Sequence, residues 1–185
     1  MTVHSAVERP LEPRDQRLAP WRAFLLAHAR VVRRLDEELR AEHDLTIGEY
    51  DALLTIAQAP ERRIRMRHLA DEVILSKSGV TRLIDRLVDD GLVERSACLS
   101  DARGAEAVLT DRGMARLRAA SKTHLRGIDE HFLTVLDATE LRAIERTMSS
   151  IAAHAGPGLM AEPGRCGPDA AEPGGAAGRR GSGGC

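Results

Sequence analysis

Apolar positions recur at helical spacing along most of this chain of 185 residues. From residue 18 one apolar stripe continues for about six helical turns. Its members are Trp21, Phe24, Leu25, His28, Val31, Val32, Leu35 and Leu39. A second segment opens with Thr46 and Glu49 at the spacing of a capping box and stops at Pro60. The pattern predicts two helices in this part of the chain.

The next segment, residues 66–73, predicts a short helix, and a tight connection leads from it to a longer amphipathic helix. Residues 76–95 read SKSGVTRLIDRLVDDGLVER, and their apolar side chains share one helical face until Gly91 ends the pattern. The period then changes from about 3.6 residues to about 2. Residues 92–96 and 105–109 therefore predict two short strands joined by a turn-rich loop, as in a β-hairpin.

Two further helices complete the pattern. Thr110 caps a long helix that is predicted to extend to residue 136, and Asp137 and Glu140 form a second capping box before the last helix. After Gly156 the chain is dominated by Gly and Pro, which is typical of a disordered tail. The predicted fold is mainly α with a small two-stranded β-wing, a winged helix-turn-helix flanked by long helices. The apolar stripes of those helices require a partner, and a second copy of the chain is the simplest one.

Composition agrees with this fold class. Hydrophobic residues make up 43% of the chain but aromatic residues only 2%, so the core must consist mostly of Leu, Ile, Val and Ala. The chain contains no apolar run long enough to span a membrane, and its first residues lack the apolar core of a signal peptide. Cys98, Cys166 and Cys185 show no metal-binding spacing. We therefore predict a cytoplasmic protein with reduced thiols and without a bound metal or cofactor.

The face of the 76–95 helix opposite its apolar stripe carries small hydroxyl groups and cations. These residues are Ser76, Lys77, Ser78, Thr81, Arg82 and Arg86. A helix that reads DNA buries one face on its own domain and places the other in the major groove, where such side chains meet phosphates and base edges. We expect Asp85 to orient Arg82 or Arg86 through an ion pair. The alternative is an ordinary solvated helix face, because the net charge of the whole chain is only −1.

Three segments together resemble the MarR family of bacterial transcription regulators, over residues 18–155. They are LTIGEYDALLTIAQAP, MRHLADEVILSKSGVTRLIDRLVDDGLVER and SDARGAEAVLTDRG, in the family's order and spacing. The resemblance implies a homodimer that binds a pseudo-palindromic operator, represses nearby genes and is released by a small aromatic or anionic ligand. It divides the chain into a flexible segment (1–17), an N-terminal dimerisation helix (18–45), a winged helix-turn-helix DNA-binding region (46–110), C-terminal dimerisation helices (111–155) and a disordered tail (156–185).

Two basic features lie beside the reading helix. At the predicted hairpin tip, Arg103 is placed to enter a minor groove, and the resemblance implies that Asp101 holds its guanidinium extended. The alternative is an ordinary turn Asp next to an incidental Arg. The run ERRIRMRH is either a phosphate clamp or a solubilising loop, and its arginines are Arg62, Arg63, Arg65 and Arg67.

Regulation and catalysis have weaker signals. Candidate ligand contacts are Trp21, His28, Tyr50 and Asp51, although each of them also suits ordinary packing. Cys98, next to the wing, offers an alternative oxidant-sensing mechanism. No catalytic or metal-binding motif stands out, so we predict a regulator and not an enzyme. A winged helix that binds another protein remains a third possibility.

Overall fold

The computed structural model describes residues 12–72, 77–98 and 101–156. Much of the predicted N-terminal segment and nearly all of the predicted tail lie outside these ranges. The helices are α1 (Ala19–His43), α2 (Ile47–Gln58), α3 (Met66–Glu72), α4 (Lys77–Asp89), α5 (Asp111–Ile128) and α6 (Ala138–Ala155). The strands are β1 (Arg63–Arg65), β2 (Val93–Cys98) and β3 (Asp101–Leu109). A mainly helical fold with a small antiparallel sheet is confirmed.

The sheet has three strands in the order β1-β3-β2, one more than the predicted hairpin. The additional strand, β1, lies within the ERRIRMRH run, and its Ile64 pairs with Ala107 of β3. Ile64 packs against the hydrophobic core, whereas the arginines on either side of it point to the opposite face of the strand. Three residues are too few for alternation to be recognised in a sequence, which is why β1 was missed.

The core lies where α2, α4, α5 and the sheet meet. Its fully buried large side chains are aliphatic: Leu39, Leu45, Leu53, Ile56, Leu69, Val80, Ile84, Leu87, Leu92 and Val93. Tyr50 is the one aromatic residue of this cluster within the described part of the chain. The prediction of an aliphatic core is therefore confirmed.

The first turn of α2 is capped by its own residues and is also hydrogen-bonded to α1. Both hydrogen bonds of the predicted capping box between Thr46 and Glu49 are present. In addition, the Ile47 backbone N–H donates to Asp36 Oδ1 at 2.8 Å, and Arg40 Nε donates to Asp36 Oδ2 at 2.6 Å. Burial opposes the negative charge of Asp36, but these hydrogen bonds outweigh that effect and hold its pKa below the ordinary value. The position of α2 thus depends on a side chain of α1.

A polar seam joins α1 to α5 and to the turn that follows α5. Glu42 accepts a hydrogen bond from Thr123 Oγ1 at 2.8 Å and forms an ion pair with Arg126 at 2.5 Å. One helical turn earlier, Glu38 Oε1 lies 2.6 Å from His131 Nε2. These side chains are far apart in sequence, so they fix how the two long helices lie against each other.

The helix after Thr110 is interrupted before the predicted end at residue 136. It is α-helical to Ile128 and continues as one π-helical turn, Asp129–Leu133. Gly127 lies just before this turn and is buried against α1, where a Cβ atom would come within 2.6 Å of Leu35 Cδ2. Gly127, a residue type that is unfavourable inside helices, thus permits close contact between α1 and α5.

The first turn of α5 packs on the segment between α4 and β2. The Thr110 N–H and hydroxyl each donate to the Leu92 carbonyl, at 3.1 Å, and Thr110 Oγ1 accepts from the Gly113 N–H at 2.9 Å. A Cβ atom at Gly113 would lie 2.1 Å from the Leu92 oxygen. Only glycine lets α5 approach this backbone so closely.

We predict that Gly113→Ala lowers the free energy of unfolding by about 2–4 kcal/mol, because the added methyl group meets a backbone atom that cannot rotate away. Urea denaturation followed by circular dichroism measures the change. Arg112→Ala, at the exposed neighbouring position, is the control and should change stability by less than about 0.5 kcal/mol. Equal stability of the two variants would contradict the close packing of α5 on Leu92.

Candidate nucleic-acid interface

Helix α4 presents one face to the core and the other to solvent. Val80, Ile84 and Leu87 are buried, and Leu83 packs beside Gly48 at the start of α2. On the opposite face, Thr81, Arg82 and Arg86 are exposed. This is the two-faced arrangement that the sequence predicts for a helix placed in a groove of DNA.

Three members of the predicted DNA-facing set lie at the beginning of α4. Ser76 is outside the described residues. Lys77 and Ser78 belong to the first turn of the helix, but their side chains are likewise outside the description. The assignment of these three residues to DNA contact stays a prediction.

Ion pairs attach α4 to elements on both sides of it. Arg86 Nε lies 3.2 Å from Oε1 of the buried Glu49 on α2. Asp85 Oδ1 lies 2.7 Å from Arg95 Nη2 on β2. We expected Asp85 to orient Arg82 or Arg86, but it pairs with Arg95 instead because β2 runs beside that face of the helix. Helix α4 is therefore held to both α2 and the wing.

The wing is the hairpin of β2 and β3, which is irregular near its tip. The pairing is regular from Val93 to Ala97, and a register shift follows before Cys98, which pairs with Asp101. The side chains of Asp101, Arg103 and Cys98 are outside the description, so their proposed contacts and the redox alternative stay predictions. The hairpin itself lies where the sequence places it, and its strands are longer than predicted.

The arginine cluster before α3 is largely engaged with carboxylates. Arg62 pairs with Asp111 at 3.2 Å, and Arg63 pairs with Glu106 of β3 at 3.4 Å. Arg67 Nε lies 3.1 Å from His68 Nε2. Arg62 thus connects the segment before β1 to the start of α5, and Arg63 connects β1 to β3 within the sheet. These pairings weaken the interpretation of the run as a phosphate clamp.

The four candidate ligand contacts do not meet within the chain. Trp21 lies fifteen residues before Asp36, the point where α1 reaches α2, so the helix rise separates them by about 22 Å. Trp21 stacks on Phe24, with ring centroids 5.9 Å apart, and Phe24 lies 6.1 Å from the ring of His28. These rings form an exposed cluster near the start of α1, remote from α2.

Tyr50 and Asp51 occupy different environments on α2. Tyr50 is buried, its ring lies 4.4 Å from that of His124 on α5, and its hydroxyl donates to Ser121 Oγ at 3.4 Å. Asp51 is exposed, yet the surrounding protein removes enough water from its carboxylate to raise its pKa. The sequence analysis did not select His124, whose buried Nδ1 has no hydrogen-bond partner in the described structure.

Burial also lowers the pKa of His124 below its ordinary value of 6.5, because desolvation disfavours the imidazolium form. The unfolded chain therefore takes up this proton first, and stability should fall as the pH decreases from about 6.5. We predict that His124→Phe, which keeps a ring against Tyr50, removes part of this loss. Thermal unfolding of both chains across that pH range measures it, and identical pH profiles would contradict the prediction.

Within the described residues, His, Cys, Asp and Glu form no group of three suited to a metal ion. Over the same part of the chain, none of the helices has both the length and the apolar character needed to cross a bilayer.

Comparison with known proteins agrees with the winged helix-turn-helix arrangement of these elements. A sequence model of the MarR family matches residues 43–104, which contain the helix-turn-helix and most of the wing. The chain is 30% identical to AbsC of Streptomyces coelicolor, a MarR family transcriptional regulator, over 80% of this chain and 97% of that one, with a TM-score of 0.70. It is also similar to Sco3205 from the same organism, solved in complex with DNA, with 26% identity over 84% and 98% of the chains and a TM-score of 0.74.

A sequence relative agrees. An HTH-type transcriptional regulator of Bacillus cereus is 27% identical over 120 residues, which are 65% of this chain and 78% of that protein. The chain belongs to the MarR family of transcriptional regulators, and the resemblance noted in the sequence is confirmed. The relatives named here are transcriptional regulators.

Proposed function

We propose that the protein binds a pseudo-palindromic operator as a homodimer and represses nearby genes until a small aromatic or anionic ligand releases it. The observation that carries the DNA-binding part is the placement of α4. Its outer face carries exposed Thr81 and Arg82, while ion pairs on either side hold it beside the wing. Helix and wing can then contact a major groove and the adjacent minor groove together.

The relatives point in the same direction. Sco3205 was solved with DNA, and a cysteine-to-serine mutant of MarR from E. coli, 25% identical to this chain with a TM-score of 0.64, was solved with operator DNA. A shared fold alone does not specify a shared function. The amphipathic α4 and the positively charged positions on its outer face supply the residue-level support.

The dimer is proposed from apolar surface that the protomer leaves exposed at its two ends. No residue of α6 is buried, and more than half of the surface of Trp21 and Ile151 is accessible. The large exposed apolar side chains of these segments are Trp21, Phe24, Leu25, Leu26, Phe132, Leu133, Val135, Met148 and Ile151. Exposed apolar side chains in this number are typical of an interface, and a second copy offers matching helices.

The ligand is proposed from two partial sites. The Trp21, Phe24 and His28 cluster provides aromatic surface. On α2, the buried Tyr50 lies beside His124, and Asp51 adds a carboxylate at the exposed side of the helix. They are separated along one protomer, so a complete pocket would require α1 of one protomer to approach α2 of the other.

Fluorescence anisotropy of the purified protein on its upstream intergenic DNA, with unrelated DNA as control, tests the proposal. Arg103→Ala should weaken binding by at least ~1 kcal/mol, about fivefold in Kd, through loss of a groove contact. Arg142→Ala removes an exposed arginine of α6 and should leave Kd unchanged.

Weak and equal binding to both DNAs would count against DNA recognition and would favour a protein partner for the winged helix. Unchanged affinity of Arg103→Ala, with tight binding by the parent protein, would reject only the proposed role of the wing.

We predict that Ile151→Glu converts the dimer into a monomer of about 20 kDa, because a carboxylate cannot be buried in an apolar interface without a partner. Light scattering coupled to size exclusion measures the mass. Arg146→Glu places the same carboxylate on the opposite face of α6, by helical periodicity, and should remain dimeric. Two variants of equal mass would contradict an interface built on this face.

A further inference from the structure

The Glu49 carboxylate has more contacts than its capping role requires. The residue is only 3% exposed, at the start of α2. One oxygen, Oε2, accepts a hydrogen bond from the Thr46 N–H at 2.8 Å and so completes the capping box. The other, Oε1, lies 3.2 Å from Arg86 Nε on α4. A buried carboxylate is stable only when its charge is paired, so the ion pair with Arg86 is part of what allows Glu49 to be buried.

The guanidinium of Arg86 is engaged by a carboxylate of its own chain and is not free to reach DNA. Its side chain is 60% exposed, but its Nε atom is held at the buried carboxylate beneath it. Near this contact, Leu83 of α4 packs on Gly48, where a Cβ atom would be 3.5 Å from Leu83 Cδ1. Helix α4 therefore lies against the beginning of α2 through an apolar contact and an ion pair side by side.

The beginning of α2 is itself fixed. The Ile47 N–H donates a hydrogen bond to Asp36 Oδ1, which connects α2 to α1. The Glu49 carboxylate in turn connects α2 to α4. A rotation of α4 about its axis would have to break the Glu49–Arg86 pair and leave the buried carboxylate with only the more distant cation of Arg40. That cost favours a single orientation of the outer face of α4.

We propose that Glu49 is a positioning residue for DNA recognition, acting through Arg86 to fix the orientation of α4. Arg86 then serves to hold the helix and is not a phosphate contact, which departs from its assignment in the sequence analysis. The inference rests on the proposed DNA-binding function. The attachment of α4 to α2, on which the inference depends, can be measured without DNA.

The DNA measurement compares Arg86→Ala, Glu49→Gln and the double variant across a salt series. If the pair positions α4, each single variant should weaken binding by about tenfold, and the double variant should be no weaker than either single one. The slope of log K against log salt should not change. Arg82→Ala is the matched control on the same helix, and loss of a phosphate contact there should lower the slope by about 0.9 per contact.

Glu49→Gln also alters the capping box, so a second control separates the two roles. Thr46→Ala removes the capping hydroxyl but leaves the Glu49–Arg86 pair in place. It should lower thermal stability and leave operator affinity unchanged when measured where all chains are folded. If Thr46→Ala weakens DNA binding as much as Glu49→Gln does, or if Arg86→Ala lowers the salt slope while Glu49→Gln binds normally, the positioning role is wrong.

The measurement without DNA is the NMR signal of the Arg86 Nε–H group in the full-length protein. In the parent chain and in Thr46→Ala, this proton should exchange with water more slowly than that of Arg82. In Glu49→Gln it should exchange as fast as that of Arg82. Equally fast exchange in the parent chain would overturn the proposal, whereas slow exchange together with no preference for the upstream DNA would reject the proposed function and leave the attachment of α4 intact.

Discussion

The arrangement of the winged helix depends on one buried charge. Glu49 lies at the junction of α1, α2 and α4, where water is excluded and a carboxylate must be fully partnered. Its partners come from two elements, the Thr46 N–H at the start of α2 and the guanidinium of Arg86 on α4. Moving α4 would take the guanidinium away from the carboxylate, while the capping N–H of its own helix would stay in place. Together with the buried face of α4, this pair favours one orientation of the helix.

Helix α1 is likewise fixed by polar contacts over part of its length. Its second half is anchored to α5 by the polar seam that includes Glu42 and Glu38, while its first half projects with exposed aromatic rings. Helix α6 likewise leaves its apolar face uncovered. The protomer thus combines a well-packed winged domain with long helices that need a partner, which is the division of roles that we propose for a dimeric regulator.

Sequence reasoning was most successful where the signal is local. Both capping boxes, the amphipathic α4 and the change of period at the hairpin are properties of neighbouring residues, and the structure contains all of them. It failed where the partner is distant. Strand β1 exists only because Ile64 meets Ala107 of β3, and the ion pair of Asp85 with Arg95 could not be chosen over nearer arginines without knowing where β2 runs.

The sequence by itself determined the order of the helices and the identity of the helix that presents cations, because these depend on periodicity and capping within a few turns. The resemblance of three segments to known regulators pointed to the family. The tertiary structure decided which of those cations are already engaged. Arg86 and Arg82 look alike in the sequence, four residues apart on one face, yet only the packed structure places a buried carboxylate under Arg86. It also separated the candidate ligand residues along α1 and α2. Pairing of charges between helices depends on packing distances, and composition and spacing do not contain those distances.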